Sequence, residues 1–427
     1  MFALILSLLL SACDLGTHFS KPDSWTESAV DFAVDHQKDG FGFASQKRDI
    51  VNCMKRGACT WHGLEVWETR IYYGADGATR VEMSLYNRGD DKGSDGLDSE
   101  GLKKLLDDIA ANAQPGGKIG SNPEKKKLKT GGYQFSKKWN KGDCDIDLVW
   151  GVDSVKEKDL TADYVRVTMH PKGGAKVKAS AKSGGIVSKT KAKSHVKKNA
   201  DGDVWIDGVP MVDQGQKGYC AAATVARIMG YYGYDFLDQH QIASWAKSDA
   251  DRGTNEKMLD AIAGVLHDRY KLVYREVPGS VNDFFKLVED YNKAAKRLKR
   301  PEVSLKPMPG TRVIDAGAVW RQFQPDVLRE ARTRNQTRNN LFFDNIRKSI
   351  DAGVPVIWSA MLGLVPEDPP LPQAFGGHMR LIIGYNQRER TILYTDSWGA
   401  KHERKTMKLE DAIMITTGLR TIAWTLN

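Results

Sequence analysis

Hydrophobic residues recur at two spacings along the first half of the chain, and each spacing predicts one type of element. Residues 64–73 and 78–86 alternate apolar and polar positions around a Gly-Ala-Asp-Gly turn, which predicts a β-hairpin. Residues 99–113 place leucines and an isoleucine on one helical face, which predicts a helix. Further strands are expected at residues 133–139, 145–152 and 163–170. Together these elements predict a small β-rich α+β domain over residues 41–170.

A second group of elements follows residue 200. Helices are expected at residues 236–247, 255–270, 280–300, 325–334 and 341–352, and strands at residues 271–277 and 354–361. This mixture predicts a second α+β domain over residues 201–427. Its proline-rich loop 364–377 is expected to be either a wall of a substrate groove or a simple strand connector.

The second domain opens with a stretch that combines a reactive side chain with a helix start. Asp-Gln-Gly-Gln-Lys-Gly-Tyr-Cys occupies positions 213–220, and apolar side chains then follow at helical spacing: Ala222, Val225, Ala226 and Met229. Cys220 is therefore predicted to lie at a helix N-terminus. The unpaired N–H groups and the helix dipole at that position favour the thiolate, which is the nucleophilic form of cysteine.

Two predicted strands near the C-terminus carry a histidine and an aspartate. His378 stands at the head of the apolar run 376–386, and Asp396 ends the run that begins at residue 391. The short turn at 387–390 predicts an antiparallel hairpin, which would bring the imidazole and the carboxylate side by side. A nucleophile, a base and an orienting acid are then present in the order Cys, His, Asp.

These residues resemble the papain-fold cysteine peptidases, above all their bacterial staphopain-like and bacteriocin-processing-like branches. The resemblance rests on Asp-Gln-Gly-x-x-Gly-x-Cys at 213–220, the glycine-flanked His378 and Asp-Ser-Trp-Gly at 396–399, and it extends from residue 209 to the C-terminus. It implies a papain-like domain with a helical half and an antiparallel β half, preceded by the small α+β domain.

The resemblance also implies a role for each matching residue. Cys220 would be the nucleophile, and His378 would be the general base and then the general acid. Asp396 would orient the imidazole, in a position where the plant enzymes have asparagine. Gln214 would form the oxyanion hole with the backbone N–H of Cys220. Trp398 would shield the hydrogen bond between His378 and Asp396 from water.

The implied function is hydrolysis of peptide bonds in a protein or peptide substrate through an acyl-enzyme. Two alternatives stay open: an acyl transferase or amidase, similar to a transglutaminase, on the same scaffold, and a non-catalytic binding module. No cofactor is expected. A metal site is not expected either, because Cys220, His378 and Asp396 include no closely spaced pair of metal ligands.

The first 40 residues predict export. With 427 residues, of which 41% are hydrophobic and 27% charged, the chain can form two or three globular domains. Residues 1–13 contain an apolar run too short to span a membrane, and their end resembles the lipobox of bacterial lipoproteins, with Cys13 as the lipidated residue. A plain secretory signal or a buried N-terminal helix are the alternatives. Residues 14–40 are then expected to be a polar tether to the membrane, making the protein a lipid-anchored, periplasmic or extracellular one.

Three further cysteines have no assigned role. In an exported protein Cys53 and Cys59 could close a small disulfide loop, and Cys144 would then be left over. The alternative is that all three are reduced and buried.

Residues 171–200 contain nine lysines and no acidic residue, which predicts a disordered linker. The chain has 63 basic and 54 acidic residues, so the nine lysines account for the net charge of +9. The linker is expected to be a solvated spacer, with contact to anionic lipid or wall polymer as the alternative. Nucleic acid is not expected as a partner, because no aromatic residues alternate with the lysines.

Overall fold

A computed structural model describes most of the chain and shows mixed helix and sheet, which confirms the predicted α+β class. The described residues are 13–90, 96–114, 122–127, 132–156, 160–173, 187–215, 217–234, 237–246, 256–278, 283–308 and 310–424. They form two compact units. Unit 1 consists of Met1–Lys182, Met211–Ala223 and Phe236–Leu259, and unit 2 of Ser183–Pro210, Thr224–Asp235 and Asp260–Asn427.

The described helices and strands are as follows. The helices are α1 (Leu15–His18), α2 (Ala29–Asp35), α3 (Ser99–Ala113), α4 (Lys189–Ala192), α5 (Cys220–Tyr231), α6 (Gln239–Ala246), α7 (Glu256–Tyr270), α8 (Phe284–Leu298), α9 (Ala316–Trp320), α10 (Pro325–Thr333), α11 (Gln336–Asp351) and α12 (Leu409–Ile415). The strands are β1 (Cys13–Asp14), β2 (Gly42–Phe43), β3 (Ile50–Cys53), β4 (Cys59–Trp61), β5 (Leu64–Glu65), β6 (Glu68–Gly74), β7 (Gly77–Asn87), β8 (Leu97–Asp98), β9 (Glu124–Lys127), β10 (Tyr133–Lys141), β11 (Cys144–Val152), β12 (Thr161–Pro171), β13 (Val196–Lys198), β14 (Asp203–Ile206), β15 (Leu272–Glu276), β16 (Val356–Leu362), β17 (Gly376–Asn386), β18 (Thr391–Thr395), β19 (Lys405–Lys408) and β20 (Thr416–Trp424).

Unit 1 is organised around a sheet with the strand order β2-β3-β6-β7-β12-β11-β10-β9, in which β8 pairs with β12. The predicted hairpin is confirmed as β6 and β7, and the helix predicted at 99–113 is confirmed as α3. The side chain of Asp98 caps α3 by accepting the N–H of Gly101 at 2.8 Å. Strand β11 buries alternate residues, Ile146, Leu148 and Trp150, as a sheet with one face on the core requires.

The structure differs from the prediction of a tether at residues 14–40. This segment contains α1 and α2, and four of its large apolar side chains belong to the core of unit 1: Leu15, Phe19, Trp25 and Phe32 are all buried. The sequence obscured this because the apolar residues are widely spaced in a polar background. One large side chain every few residues is enough to attach a short helical segment, since each buries far more apolar area than its polar neighbours.

The prediction of a disordered lysine-rich linker also differs from the structure over part of its length. Residues 174–186 lie outside the described part of the chain, but 187–200 contain α4 and β13. Val187 and Ala192 are buried in unit 2, and Val196 of β13 pairs with Ile206 of β14. A few small apolar residues between the lysines therefore fix this segment, although its overall composition is that of a spacer.

All five cysteines are free thiols in the structure. Cys53, Cys59 and Cys144 are buried, which agrees with the alternative that they are reduced. Cys13 is also buried, in the strand β1 that pairs with β4, and this burial raises the pKa of its thiol to about 12. None of the described helices has the length and apolar character that a membrane span needs.

Unit 2 contains an eight-stranded sheet with the order β13-β14-β17-β16-β20-β15, in which β18 also pairs with β17 and β19 pairs with β18. The hairpin predicted near the C-terminus is confirmed, because β17 and β18 pair antiparallel with Leu381 opposite Thr395. Helix α5 is also confirmed: the predicted apolar face of its unit 2 part, Val225, Ala226 and Met229, is buried. This hairpin and this helix carry the candidate site.

The burial of α2 allows a direct test of whether residues 14–40 are part of the folded core or form a tether. Phe32 is fully buried, whereas Val34 on the same helix is 65% exposed. Phe32→Ala is expected to lower the free energy of unfolding of unit 1 by about 3–5 kcal/mol, the usual cost of removing a buried aromatic ring. Val34→Ala should change it by less than about 0.5 kcal/mol. Urea unfolding followed by tryptophan fluorescence measures both, and equal small effects would contradict the structure.

Candidate active site

His378 and Asp396 form a hydrogen bond inside unit 2, as the sequence predicts for them. Nε2 of His378 lies 2.5 Å from Oδ1 of Asp396, and both side chains are completely buried. Burial alone would raise the pKa of Asp396, but His378 and Arg380 outweigh it and hold this pKa well below its usual range. The carboxylate is therefore ionised and accepts the Nε2–H, which leaves Nδ1 as the ring nitrogen with a lone pair in the neutral imidazole.

Trp398 covers this pair. Its ring is stacked on the His378 ring, with centroids 4.2 Å apart and planes 8° from parallel. The indole approaches from the segment that follows Asp396, so one tight turn supplies both the carboxylate and its apolar cover. This contact agrees with the shielding role that the sequence predicts for Trp398.

A second buried ion pair lies behind Asp396. Arg380, two residues after His378 on β17, places Nη1 3.3 Å from Oδ2 of Asp396 and 2.9 Å from both carboxylate oxygens of Glu367. The Arg380 guanidinium lies over the rings of Trp358 and Tyr394, at 4.3 and 4.6 Å from their centroids. The side chain of Arg380 is completely buried, so these carboxylates and rings replace its hydration.

Glu367 ties the proline-rich loop 364–377 to this centre. Besides Arg380, its carboxylate accepts the hydroxyl of Tyr394 and lies 3.1 Å from Nζ of Lys405. The same ammonium donates to the backbone carbonyl of Pro369 at 3.2 Å. The loop is therefore anchored near its start, whichever of its two expected roles it has.

Helix α5 is fixed against the same hairpin by the polar side chains of two residues within unit 2. The buried Arg227 donates from Nη1 to the carbonyl of Asp396 at 2.8 Å and from Nη2 to Thr395 Oγ1 at 2.5 Å. Burial lowers the pKa of Arg227 to about 10, so its guanidinium is still charged at neutral pH. Thr224 donates from its hydroxyl to the carbonyl of Met379, the neighbour of His378, at 3.1 Å.

The predicted nucleophile and oxyanion donor lie in the part of the chain that associates with unit 1. This differs from the predicted domain start at residue 201, since residues Met211–Ala223 belong to unit 1. Cys220 is half-buried and is the first residue of α5, at the helix N-terminus as predicted. Gln214 is buried and donates from Nε2 to the carbonyl of Lys217 at 2.7 Å. That bond fixes the plane of the amide group.

Sequence reasoning missed Arg380, Glu367 and Lys405. A signal for Arg380 exists, because it is the one charged residue within the apolar strand 376–386 and stands two positions from His378, on the same face. A charge in a strand that is buried on both faces needs a partner of opposite charge. Neither Glu367 nor Lys405 has such a signal, since both come from segments whose position only the tertiary structure sets.

The comparison with known protein families agrees with the part of the site that contains His378 and Asp396. Residues 308–417 match the family described as the Peptidase_C39 like family. The matched segment includes His378 and Asp396 but not Cys220 or Gln214, and it supports a cysteine peptidase-like domain. No curated protein matches the chain.

The Arg380 ion pairs predict a large and pH-dependent effect of substitution. Arg380→Met removes the cation that the buried carboxylates of Asp396 and Glu367 share, and we expect it to lower the free energy of unfolding of unit 2 by about 3–5 kcal/mol at pH 7. Arg334→Met is the matched control, because Arg334 is 61% exposed and its pair with Glu330 is worth at most about 1 kcal/mol. Urea unfolding of both variants measures this difference.

The sign of the pH effect follows from the lowered pKa of Asp396. Its ionised form stabilises the fold above the unfolded pKa, about 3.9, and this contribution is lost as the pH falls towards the folded value. In Arg380→Met the folded pKa of Asp396 should be higher. The difference in the free energy of unfolding between the native protein and Arg380→Met is therefore expected to be largest at neutral pH and to become smaller between about pH 5 and pH 3. A difference that is constant with pH would contradict the ionic role of Arg380.

Proposed function

We propose that this protein is a cysteine peptidase of the papain-like type that hydrolyses peptide bonds through an acyl-enzyme on Cys220. The observation that carries the proposal is the buried hydrogen bond between His378 and Asp396 beneath the Trp398 ring. It lies inside the segment that matches a cysteine peptidase-like family. An ionised acid that holds one imidazole nitrogen is the arrangement that prepares the other nitrogen to accept and return a proton.

In the proposed acylation step, Sγ of Cys220 attacks the carbonyl carbon of the substrate and its proton passes to Nδ1 of His378. The imidazolium then donates this proton to the amide nitrogen as the carbon–nitrogen bond breaks and the amine leaves. In deacylation, His378 removes a proton from water, whose oxygen attacks the thioester. The thiolate leaves, the acid product is released, and the imidazolium returns the proton.

The charge that develops on the carbonyl oxygen needs donors close to Cys220. In the proposal these are the backbone N–H of Cys220 and the amide of Gln214. The start of α5 also adds its helix dipole, which favours the negative charge of the thiolate. The bond from Gln214 to the Lys217 carbonyl supports this assignment, because it holds the amide in one orientation.

We propose an extended protein or peptide segment as the substrate. Export, the lipid anchor at Cys13 and contact of residues 171–200 with anionic lipid or wall polymer stay predictions. Extraction of the full-length protein with detergent, followed by mass analysis of its N-terminal peptide, tests the anchor.

Substitution of the proposed nucleophile and base tests the function. Cys220→Ala and His378→Asn are each expected to lower kcat for cleavage of an unfolded protein substrate by at least about 1,000-fold. His267→Asn, at an exposed position of α7, should leave kcat unchanged and is the matched control. Cleavage is followed by mass spectrometry, and labelling of Cys220 by a thiol-directed epoxide is measured in parallel.

The outcomes separate the alternative functions. Full cleavage activity in Cys220→Ala would overturn the proposed mechanism. Products carrying an added amine in place of water would identify an acyl transferase. A Cys220 that neither reacts with the epoxide nor supports cleavage of any unfolded substrate would favour the binding module.

A further inference from the structure

Lys217 is a largely buried lysine in the segment between the proposed oxyanion donor and the proposed nucleophile. Its side chain is 12% exposed, and Nζ lies 2.7 Å from Oε2 of Glu68 and 2.5 Å from Oδ2 of Asp90. Glu68 begins β6, and Asp90 ends the short 3-10 helix Arg88–Asp90 that follows β7, so one carboxylate comes from the N-terminal sheet of unit 1 and the other from the turn directly after one of its strands. The residues 213–215 and 217–219 are called the pre-helix loop below.

Glu68 is the centre of this cluster. Besides Lys217, it contacts His240 of α6 through Oε1, which also lies 3.5 Å from Nη2 of Arg70. Burial alone would raise the pKa of Glu68, but His240, Lys217 and Arg70 hold it well below its usual range. Burial would likewise lower the pKa of Lys217, and Glu68 and Asp90 raise it above its usual value. The pair between Lys217 and Glu68 is therefore charged at neutral pH.

The same cluster has the composition of a metal site. Ligand atoms of Glu68, Asp90 and His240 lie close enough to one another to bind a single ion. The Lys217 ammonium, however, contacts the two carboxylates that such an ion would use. The chain thus supplies its own cation at this place, and that cation belongs to the pre-helix loop.

Other contacts attach the pre-helix loop to the same unit. Asp213 accepts the side-chain N–H of Asn52 at 3.3 Å, and its carbonyl accepts Nε2 of Gln239 at 3.0 Å. Gly215 has φ of 66°, in the left-handed region that favours glycine, and a Cβ there would lie 3.2 Å from Cβ of Met54. Among these contacts, the Lys217 pairs are the ones between full charges, and they lie closest in sequence to Cys220.

We propose that Lys217 is a positioning residue for catalysis, and that the N-terminal sheet acts through it. Its ion pairs with Glu68 and Asp90 fix the carbonyl of Lys217, which holds the Gln214 amide, and they fix the chain that leads into Cys220. The N-terminal sheet is then a permanent part of the active site, and not a removable inhibitor or a spacer. This inference rests on the proposed function.

The first test is Lys217→Met in the full-length protein. We expect kcat for peptide cleavage to fall by about 10–100-fold with KM within about threefold of the native value, because misplaced oxyanion donors weaken the transition state more than substrate binding. Alkylation of Cys220 by iodoacetamide forms no oxyanion and should stay within about threefold of the native rate. Lys138→Met is the matched control, because Lys138 is 70% exposed, pairs with Asp147 in the same unit, and should leave both rates unchanged.

A double substitution separates positioning from a general loss of structure. If Lys217 acts through Gln214, its replacement should have a much smaller effect on kcat in a Gln214→Ala background than in the native one. Lys217→Arg, which keeps the charge, should recover part of the activity. Should Lys217→Met fail to fold, Asp90→Asn is measured instead, with an expected fall in kcat of about 3–10-fold.

The outcomes distinguish this inference from the proposed function. A native protein without cleavage activity, or with an unreactive Cys220, would defeat the proposed function and this inference with it. An active native protein and an equally active Lys217→Met variant would overturn only the positioning role. Equal losses of cleavage and of alkylation, additive with Gln214→Ala, would also overturn it, since they indicate general disruption of unit 1.

Discussion

The carboxylate of Asp396 is completely buried, and unit 2 is arranged around the need to balance its charge. His378 and Arg380 approach it from one strand, and Arg380 is balanced in turn by Glu367. Glu367 is shared with Lys405, so charges of alternating sign extend from the imidazole to the loop and to β19. An isolated charge at this depth would be very unfavourable, so each of these buried charged side chains needs a neighbour of opposite charge. The orientation of His378 is a consequence of this chain of pairs.

Unit 1 also contains ion pairs that are largely removed from solvent, and here they surround the ammonium of Lys217. Glu68 of the N-terminal sheet and Asp90, which lies just after strand β7, surround this ammonium and thereby fix the loop that contains Gln214. Buried ion pairs add little net stability compared with apolar packing, but they tolerate few alternative geometries. They are therefore suited to places where the direction of a hydrogen bond matters more than the free energy of folding. Both halves of the proposed site depend on such a pair.

Local periodicity predicted most individual elements of this chain but not its larger divisions. The hairpin β6–β7, helix α3 and the hairpin β17–β18 follow from alternation and helical spacing, which depend on neighbouring residues alone. Residues 14–40 were expected to be a tether and residues 171–200 a linker, because their average composition is polar. A few apolar side chains, such as Phe32 and Val187, nevertheless attach them to a core, and an average over the segment does not register so few residues.

The sequence by itself determined the chemical identity of the candidate site: a cysteine at a helix start, a histidine on a strand, and an aspartate at the end of the strand that pairs with it. The sequence could predict these residues because each one belongs to a local motif. It could also predict the pairing of His378 with Asp396, because the two residues lie on adjacent strands of one hairpin. Only the tertiary structure decided that Arg380 and Glu367 support Asp396, and that the loop before Cys220 belongs with the N-terminal sheet. Those contacts join residues far apart in the chain, and a buried charge selects its partner by distance in space, which sequence spacing does not encode.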